Sequence, residues 1–334
     1  MDTFDAISAG RDVSLDRPVL SASGLYTYVL TILAVVLLVG CSPTAAGSAS
    51  GASASTATPL VVAATTPTPT GLKDCPILDP PGRCAKLDVG GSRLWIVCRG
   101  TGSPSVVFDA GFHDAGDTWD PLLFDLQPLS QVCVYDRAGL GSSDPPQHRP
   151  RTSRQIVAEL HTLLRQAGVA SPSVLVGHSF GGLNMQLYAY TYPTEVDGLV
   201  LVDSMHADQW ARFPTPDDPR ERATEQAIAR GSNPEGIDFA ASTAQVRAER
   251  TRRGPLTIPL IVISAGQYEF PADTPAQERT QVRQVLQALQ ADLVHVSEQG
   301  KQVIAAQSYH YVQRDQPEVV VAAVREVVEA ARRH

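Results

Sequence analysis

Ser179 stands in Gly177-His178-Ser179-Phe180-Gly181, a hydroxyl flanked at two residues' distance by glycines. The apolar run Val174-Leu175-Val176 leads into it, and Leu183-Asn184-Met185-Gln186-Leu187-Tyr188-Ala189 leaves it with helical character. A strand, a sharp turn and a helix form the setting in which a serine hydroxyl is lifted above a sheet as a nucleophile. Such a turn holds the serine backbone in a strained conformation, and glycines on either side avoid the Cβ collisions that so tight a path would cause. The pentapeptide is a weak signal alone; its context makes it a strong one. A serine nucleophile needs a base to take its proton. Of the eight histidines, the candidates are His113, His178, His206, His295 and His310.

The elements that must hold these groups alternate in type. Ala85–Val89 and Arg93–Val97 read as strands joined at Gly90-Gly91, a hairpin signal. Ser105–Phe108 is a short apolar strand, Trp119–Leu129 a helix and Gln131–Tyr135 a strand. Ile156, Leu160, Leu163 and Leu164 share one face of a helix, with Thr152 and Gln155 as a capping box and Gly168 at its end. Gly198–Val202 and Leu260–Ser264 read as further strands and Leu293–Val296 as the last one. A closing helix spans 318–331, started by Pro317, with Val320, Val324, Val327, Val328 and Ala331 on one face. Alternating strands and helices after an opening hairpin predict a mostly parallel, twisted sheet with helices on both faces. Between Asp203 and Pro259 lie some fifty residues, a stretch rich in Arg and Glu and too long for an ordinary connection. Weak helical patterns around 218–230 and 241–253 make the segment 204–257 a small helical cap.

Composition narrows the class. The chain has 334 residues, 19% of them charged and 43% hydrophobic, which suits a globular core. The net charge of −8, without a basic stripe, speaks against nucleic acid as a partner. No Cys-x-x-Cys and no histidine-rich spacing suggests a metal site, and no cofactor is expected. Residues 1–40 read as an export signal: Pro18 to Gly40 carries no charge, and Leu38-Val39-Gly40-Cys41 is similar to a bacterial lipobox, which implies lipidation of Cys41 and membrane anchoring on the extracytoplasmic face. An uncleaved membrane anchor is the alternative, since the stretch is long enough to span. Asp2, Asp5, Asp12 and Asp16 outnumber Arg11 and Arg17, which departs from the positive start of export signals. Residues 41–72 are mostly Ala, Ser, Thr, Gly and Pro, the composition of a mobile tether to the domain 73–334. Setting Cys41 aside leaves four cysteines, and the short separation around a Pro-rich loop favours a Cys75–Cys84 disulfide. Cys98 and Cys133 are either paired or buried thiols.

From about Leu87 onward the chain resembles the α/β-hydrolase superfamily, on five motifs in order. Asp109-Ala110-Gly111-Phe112 stands where the family has its His-Gly oxyanion loop, with Ala110 in place of the His. Tyr135-Asp136-Arg137-Ala138-Gly139-Leu140-Gly141-Ser142-Ser143 is similar to the family's Tyr-Asp-x-x-Gly-x-Gly-x-Ser segment. Ser179 occupies the elbow, Leu199–Asp203 looks like the sixth family strand, and Ser308-Tyr309-His310 with Asp315-Gln316-Pro317 looks like the histidine loop and final helix.

The resemblance implies an α/β-hydrolase fold and a Ser–His–acid triad in that chain order. Ser179 is then the nucleophile and His310 the general base, with the backbone N–H groups of Phe180 and Phe112 as the oxyanion hole. His295 reads as structural, His178 as pointing into the sheet, and His113 and His206 as substrate contacts. Tyr135, Asp136 and Arg137 read as fixing the loop beside the site. The acid is open between two strand ends: Asp203 is favoured, with Glu269 the alternative and Asp273 slightly further on. Serine at the elbow argues against the branches that carry Asp there, the haloalkane dehalogenases and epoxide hydrolases. The expected activity is hydrolysis of a small-molecule carboxylic ester, lactone or thioester through an acyl-enzyme. The alternatives are a slow-turnover ligand sensor and a peptidase or C–C hydrolase. Trp210, Phe213 and Phe239 suggest a modestly apolar pocket roof.

Overall fold

A computed structural model describes residues 71–75, 81–212, 235–270, 272 and 274–333. The signal segment 1–40, Cys41, nearly all of the tether 41–72, the helical pattern at 218–230, Phe213 and Asp273 lie outside the described residues. Among those described, no helix is long and apolar enough to cross a membrane.

Among the described residues, nine strands form one sheet in the order β1-β2-β3-β5-β4-β6-β7-β8-β9. Lys73–Cys75 (β1), Gly82–Asp88 (β2) and Arg93–Arg99 (β3) run antiparallel, and β3 meets Val132–Tyr135 (β5) antiparallel as well. From β5 onward the neighbours Ser105–Asp109 (β4), Ser173–His178 (β6), Val196–Val202 (β7), Leu256–Ala265 (β8) and Ser297–Ala305 (β9) are parallel. The longer helices among the described residues are Asp120–Leu126 (α1), Ser153–Ala167 (α2), Phe180–Thr191 (α3), Phe239–Arg253 (α4), Ala276–Asp292 (α5) and Pro317–Ala331 (α6).

Both faces of the central strands are covered, which is why they read as unbroken apolar runs. Val107, Leu175, Leu199, Leu201, Leu260 and Val262 face a core shared with α2 and α3. Their alternates Val106, Phe108, Val174, Val176, Val200, Val202, Ile261 and Ile263 face a core shared with α1 and α6. α3 runs through the interior, and its Asn184 and Gln186 find hydrogen-bond partners there. Asn184 accepts from Ser153 Oγ at 2.7 Å and donates to Asp109 at 3.1 Å. The capping box of Thr152 and Gln155 opens α2, and Gly168 closes it in the left-handed region at φ 69°.

Two parts of the sequence reading are corrected. Leu293–Val296 is not the last strand but a 3-10 turn prolonging α5, and the strand follows it at Ser297–Ala305. Among the described residues that strand pairs on one side only, with β8, and its polar residues are largely exposed, so it lacks the apolar signature of its neighbours. The long helix α5 had no counterpart among the expected elements, because Gln and Arg interrupt its apolar face. Cys75 is bonded to Cys84 and Cys98 to Cys133, the latter two residues directly opposed on β3 and β5.

Candidate active site

The expected chemical groups gather at the C-terminal ends of the parallel strands, where an open α/β sheet presents its loops. His178 and Val202 are partners in the β6–β7 register, so Ser179 and Asp203 are the next residue on each strand. The Ser179 N–H donates to Val202 O at 3.1 Å, and Ser179 O accepts from Met205 N at 2.9 Å, which holds the turn on both sides. Ser179 has φ 52° and Asp203 φ 38°, and His113 completes the positive-φ residues other than glycine among those described, at 70°. All three border this site, a concentration of strain that marks functional positions. The glycines around Ser179 are required by contact as well as by the turn. A Cβ on Gly177 would lie 2.6 Å from Gly181 O and 2.6 Å from Gly182 Cα, both backbone atoms.

His310 arrives on the loop after β9. Its Nδ1 is 2.7 Å from Asp203 Oδ2, while Asp203 Oδ1 accepts from Ala265 N at 3.1 Å. The loop is fixed by Asp315, whose carboxylate accepts from Tyr309 N at 2.8 Å and Ser308 Oγ at 3.2 Å. Of the two acids weighed from sequence, Asp203 is therefore the one brought to the ring. Glu269 lies exposed beyond β8.

His178 is buried beneath His310. Its Nε2–H donates to the His310 carbonyl at 2.9 Å, its ring lies 4.6 Å from that of His310, and Trp119 meets it edge-on. Its Nδ1 is buried without a partner, and a Cβ on Gly111 would lie 2.8 Å away. Burial holds the His178 imidazole well below the usual histidine range, so it is neutral.

Phe180 is the first residue of α3, so its N–H has no partner within the helix. Phe112 sits across from it, the two rings edge-on at 6.4 Å, and Phe239 from α4 closes the group at 4.9 Å from Phe112 and 5.2 Å from Phe180. His113 packs edge-on against Phe112 at 4.0 Å.

His206 is a correction. It does not face the site: Nδ1 accepts from Asp208 N at 2.9 Å, and Nε2 meets Asp292 at the end of α5 at 2.9 Å. With both nitrogens engaged and the residue buried, it ties the segment after β7 to α5 and to Arg250 of α4. His295 lies in the 3-10 turn, away from the strand first expected there.

The Tyr-Asp-x-x-Gly-x-Gly-x-Ser segment earns its residues one by one. Asp136 accepts from Gly116 N at 2.8 Å and Ser142 N at 2.7 Å, with Gly141 at φ 47° packed so close that a side chain there would overlap the Asp136 carboxylate. Ser143 Oγ donates to Asp136 O at 2.6 Å. Arg137 is buried and bonds Asp109 at 2.6 Å and Glu235 at 2.6 Å. Burial also raises the Asp109 carboxyl, partly offset by Arg137 beside it. Glu235 was missed from sequence. A lone Glu in a polar stretch carries no local mark of being buried 98 residues away from its arginine.

A family model described as the alpha/beta hydrolase fold matches residues 104–257. The protein YqjL of Bacillus subtilis (strain 168) is 29% identical over 229 residues, covering 69% of this chain and 85% of that protein. A thermophilic esterase from Thermogutta terrifontis superposes with a TM-score of 0.51 at 22% identity, over 74% of this chain and 97% of that one. Cfl2 of Burkholderia cenocepacia does so with a TM-score of 0.51 at 22% identity, over 77% and 99%. At such identities the superpositions speak to the fold.

Proposed function

For this chain, which has the α/β-hydrolase fold, we propose the activity of a serine hydrolase that cleaves small-molecule carboxylic esters, lactones or thioesters. The observation that carries the reading is the His310 Nδ1–Asp203 Oδ2 contact of 2.7 Å at the strand end next to a serine held at φ 52°. Ser179 Oγ attacks the carbonyl carbon, and His310 takes the hydroxyl proton through Nε2, while Asp203 keeps the Nδ1–H tautomer in place. The developing oxyanion is met by the N–H groups of Phe180 and Phe112, each donor worth about 3 kcal/mol of barrier. His310 then protonates the leaving alkoxide or thiolate, and water frees the acyl group by the same steps in reverse order.

A fluorophosphonate probe tests this directly. It should label the wild-type chain, and Ser179→Ala should lose both the label and turnover of a p-nitrophenyl ester while keeping the fold. Retained turnover in that variant would overturn the reading.

Export with a lipid on Cys41 belongs to the same proposal. Two disulfides suit an oxidising compartment. Mass spectrometry of the native protein should find a diacylglyceryl Cys41 at the N-terminus, whereas an intact Met1 in membrane fractions would point to an uncleaved anchor.

A further inference from the structure

The oxyanion loop is held by a buried ionic cluster in which Arg137 and Glu235 come from outside the loop. One guanidinium, that of Arg137, donates to Ala110 O at 2.6 Å and to Gly111 O at 2.7 Å. Its remaining donors go to Asp109 at 2.6 Å and to both oxygens of Glu235, at 2.6 and 2.9 Å. Glu235 Oε1 also accepts from His113 N at 3.1 Å. The guanidinium lies 5.6 Å from the Phe180 ring, above the first residue of α3. Glu235 belongs to the segment 204–257 rather than to the sheet. Next to it, Ile237 bridges to Arg151, and Asp238 caps α4 by accepting from Ala241 N.

The peptide geometry gives this cluster a direction. The cis peptides among the described residues all precede proline and lie elsewhere, so Gly111–Phe112 is trans. In a planar trans peptide the C=O and the N–H point opposite ways. With Gly111 O drawn toward Arg137, Phe112 N–H is turned away from the cluster. The next peptide is pinned as well, because His113 N–H is drawn to Glu235. Both peptide planes flanking Phe112 are thereby fixed.

We infer that Arg137 and Glu235 are positioning residues for the oxyanion hole: they aim Phe112 N–H at the reacting carbonyl, and the hole is complete only with Glu235 of the cap segment docked on Arg137. This rests on the serine-hydrolase reading above, and it adds a part of the cap to the catalytic geometry without contact to substrate. Arginine is required for its shape. A lysine ammonium cannot hold two carbonyls and a carboxylate in one plane.

The test uses the whole protein in four forms: wild type, Glu235→Gln, Arg137→Lys and Arg137→Met. Active sites are titrated with a fluorophosphonate so that turnover of p-nitrophenyl acetate is counted per reactive serine, which removes any unfolded fraction. Losing an oxyanion donor outright costs ~10²–10³-fold in kcat, so a misdirected one should cost about 10-fold in Glu235→Gln and about 100-fold in Arg137→Met. KM should stay within about threefold, because the hole acts on the transition state. Affinity for phenylboronic acid, whose tetrahedral adduct fills the hole, should fall in step with kcat. A merely structural role would lower the titrated fraction and the melting temperature but leave kcat per site and boronate affinity alone. That outcome would overturn the inference while leaving the hydrolase reading standing. A wild-type protein that neither labels nor turns over would overturn the reading itself.

Discussion

Replacing Asp203 by Asn should cost far more than the loss of one charge, because the surroundings dictate which way the amide faces. Asp203 Oδ1 accepts the Ala265 N–H at 3.1 Å, and Oδ2 faces His310 Nδ1 at 2.7 Å. An asparagine that keeps its oxygen on Ala265 presents an NH₂ to His310. Nδ1 must then accept, the ring proton moves to Nε2, and the nitrogen that should receive the serine proton is already occupied. The flipped amide restores the tautomer but sets NH₂ against the Ala265 N–H, two donors face to face in a half-buried site, at a cost of about 1–3 kcal/mol. The side chain is thus held in the unproductive orientation. The wrong tautomer costs up to ~10⁴ in turnover in a triad of this type, or about 5.5 kcal/mol of barrier. The assay is p-nitrophenyl ester turnover per fluorophosphonate-titrated site, with Glu269→Gln in parallel. Asp203→Asn should fall to roughly 10⁻⁴ of wild type with its circular dichroism unchanged, and Glu269→Gln, exposed beyond β8, should turn over normally. Near-normal turnover in Asp203→Asn would refute the reasoning, and collapse in Glu269→Gln would move the acid to the neighbouring strand.

Gly181→Ala puts a methyl onto the carbonyl oxygens of Asp109 and Ala110, backbone atoms that cannot step aside. It should destabilise the fold by about 1–3 kcal/mol in urea titration and lower turnover, although alanine is the better helix former; an unchanged midpoint would contradict the packing described. Buried His178 stays neutral in the folded chain, while in the unfolded chain it takes up a proton as pH falls below its ordinary value of 6.5. Its contribution is therefore fully present above that value and lost as pH drops below it, so the stability difference between wild type and His178→Asn should shrink by up to ~1.4 kcal/mol per pH unit there. A difference that is flat from pH 7 to 5, read by denaturant titration, would show that the ring is protonated in the fold. Removing the Cys98–Cys133 bond by double substitution to Ala should cost about 2–4 kcal/mol by the same measurement, and a loss under about 0.5 kcal/mol would mean that the pairing of β3 with β5 already does its work.

The sequence was legible where one strand or one turn carries its own constraint. The elbow around Ser179 announces itself because the glycines, the entering strand and the leaving helix lie within twenty residues, and the α2 capping box does so within four. The central strands were readable because both faces are buried, whereas β9 hid behind Glu298, Gln299, Lys301 and Gln302, which an edge strand is free to expose. Roles that depend on distant partners did not show. His206 follows a strand at the right end of the sheet, and only the fold reveals that Asp208 and Asp292 take both of its nitrogens. Arg137 could be read as fixing a loop, but which carbonyls it grips depends on β4 and β5 lying side by side. Glu235 could not be foreseen, since the partners it meets, Arg137 and His113, lie about a hundred residues back along the chain.

The pairing of Cys75 with Cys84 has a mechanical consequence. β1 is three residues long and, among the described strands, meets only β2, so its hydrogen bonds alone would resist little tension. Cys84 pairs in register with Lys73 on one side and with Val97 of β3 on the other. A pull applied ahead of residue 71 can peel Lys73 and Asp74 away, and then it meets a covalent bond. From there the load passes into β2, which is braced along six residue pairs by β3. The force arrives as shear across a broad ribbon instead of unzipping the sheet from its rim. Whatever the preceding segment is fastened to, strain on it is absorbed at the edge strand farthest from β8 and β9, and the geometry around Ser179 is spared.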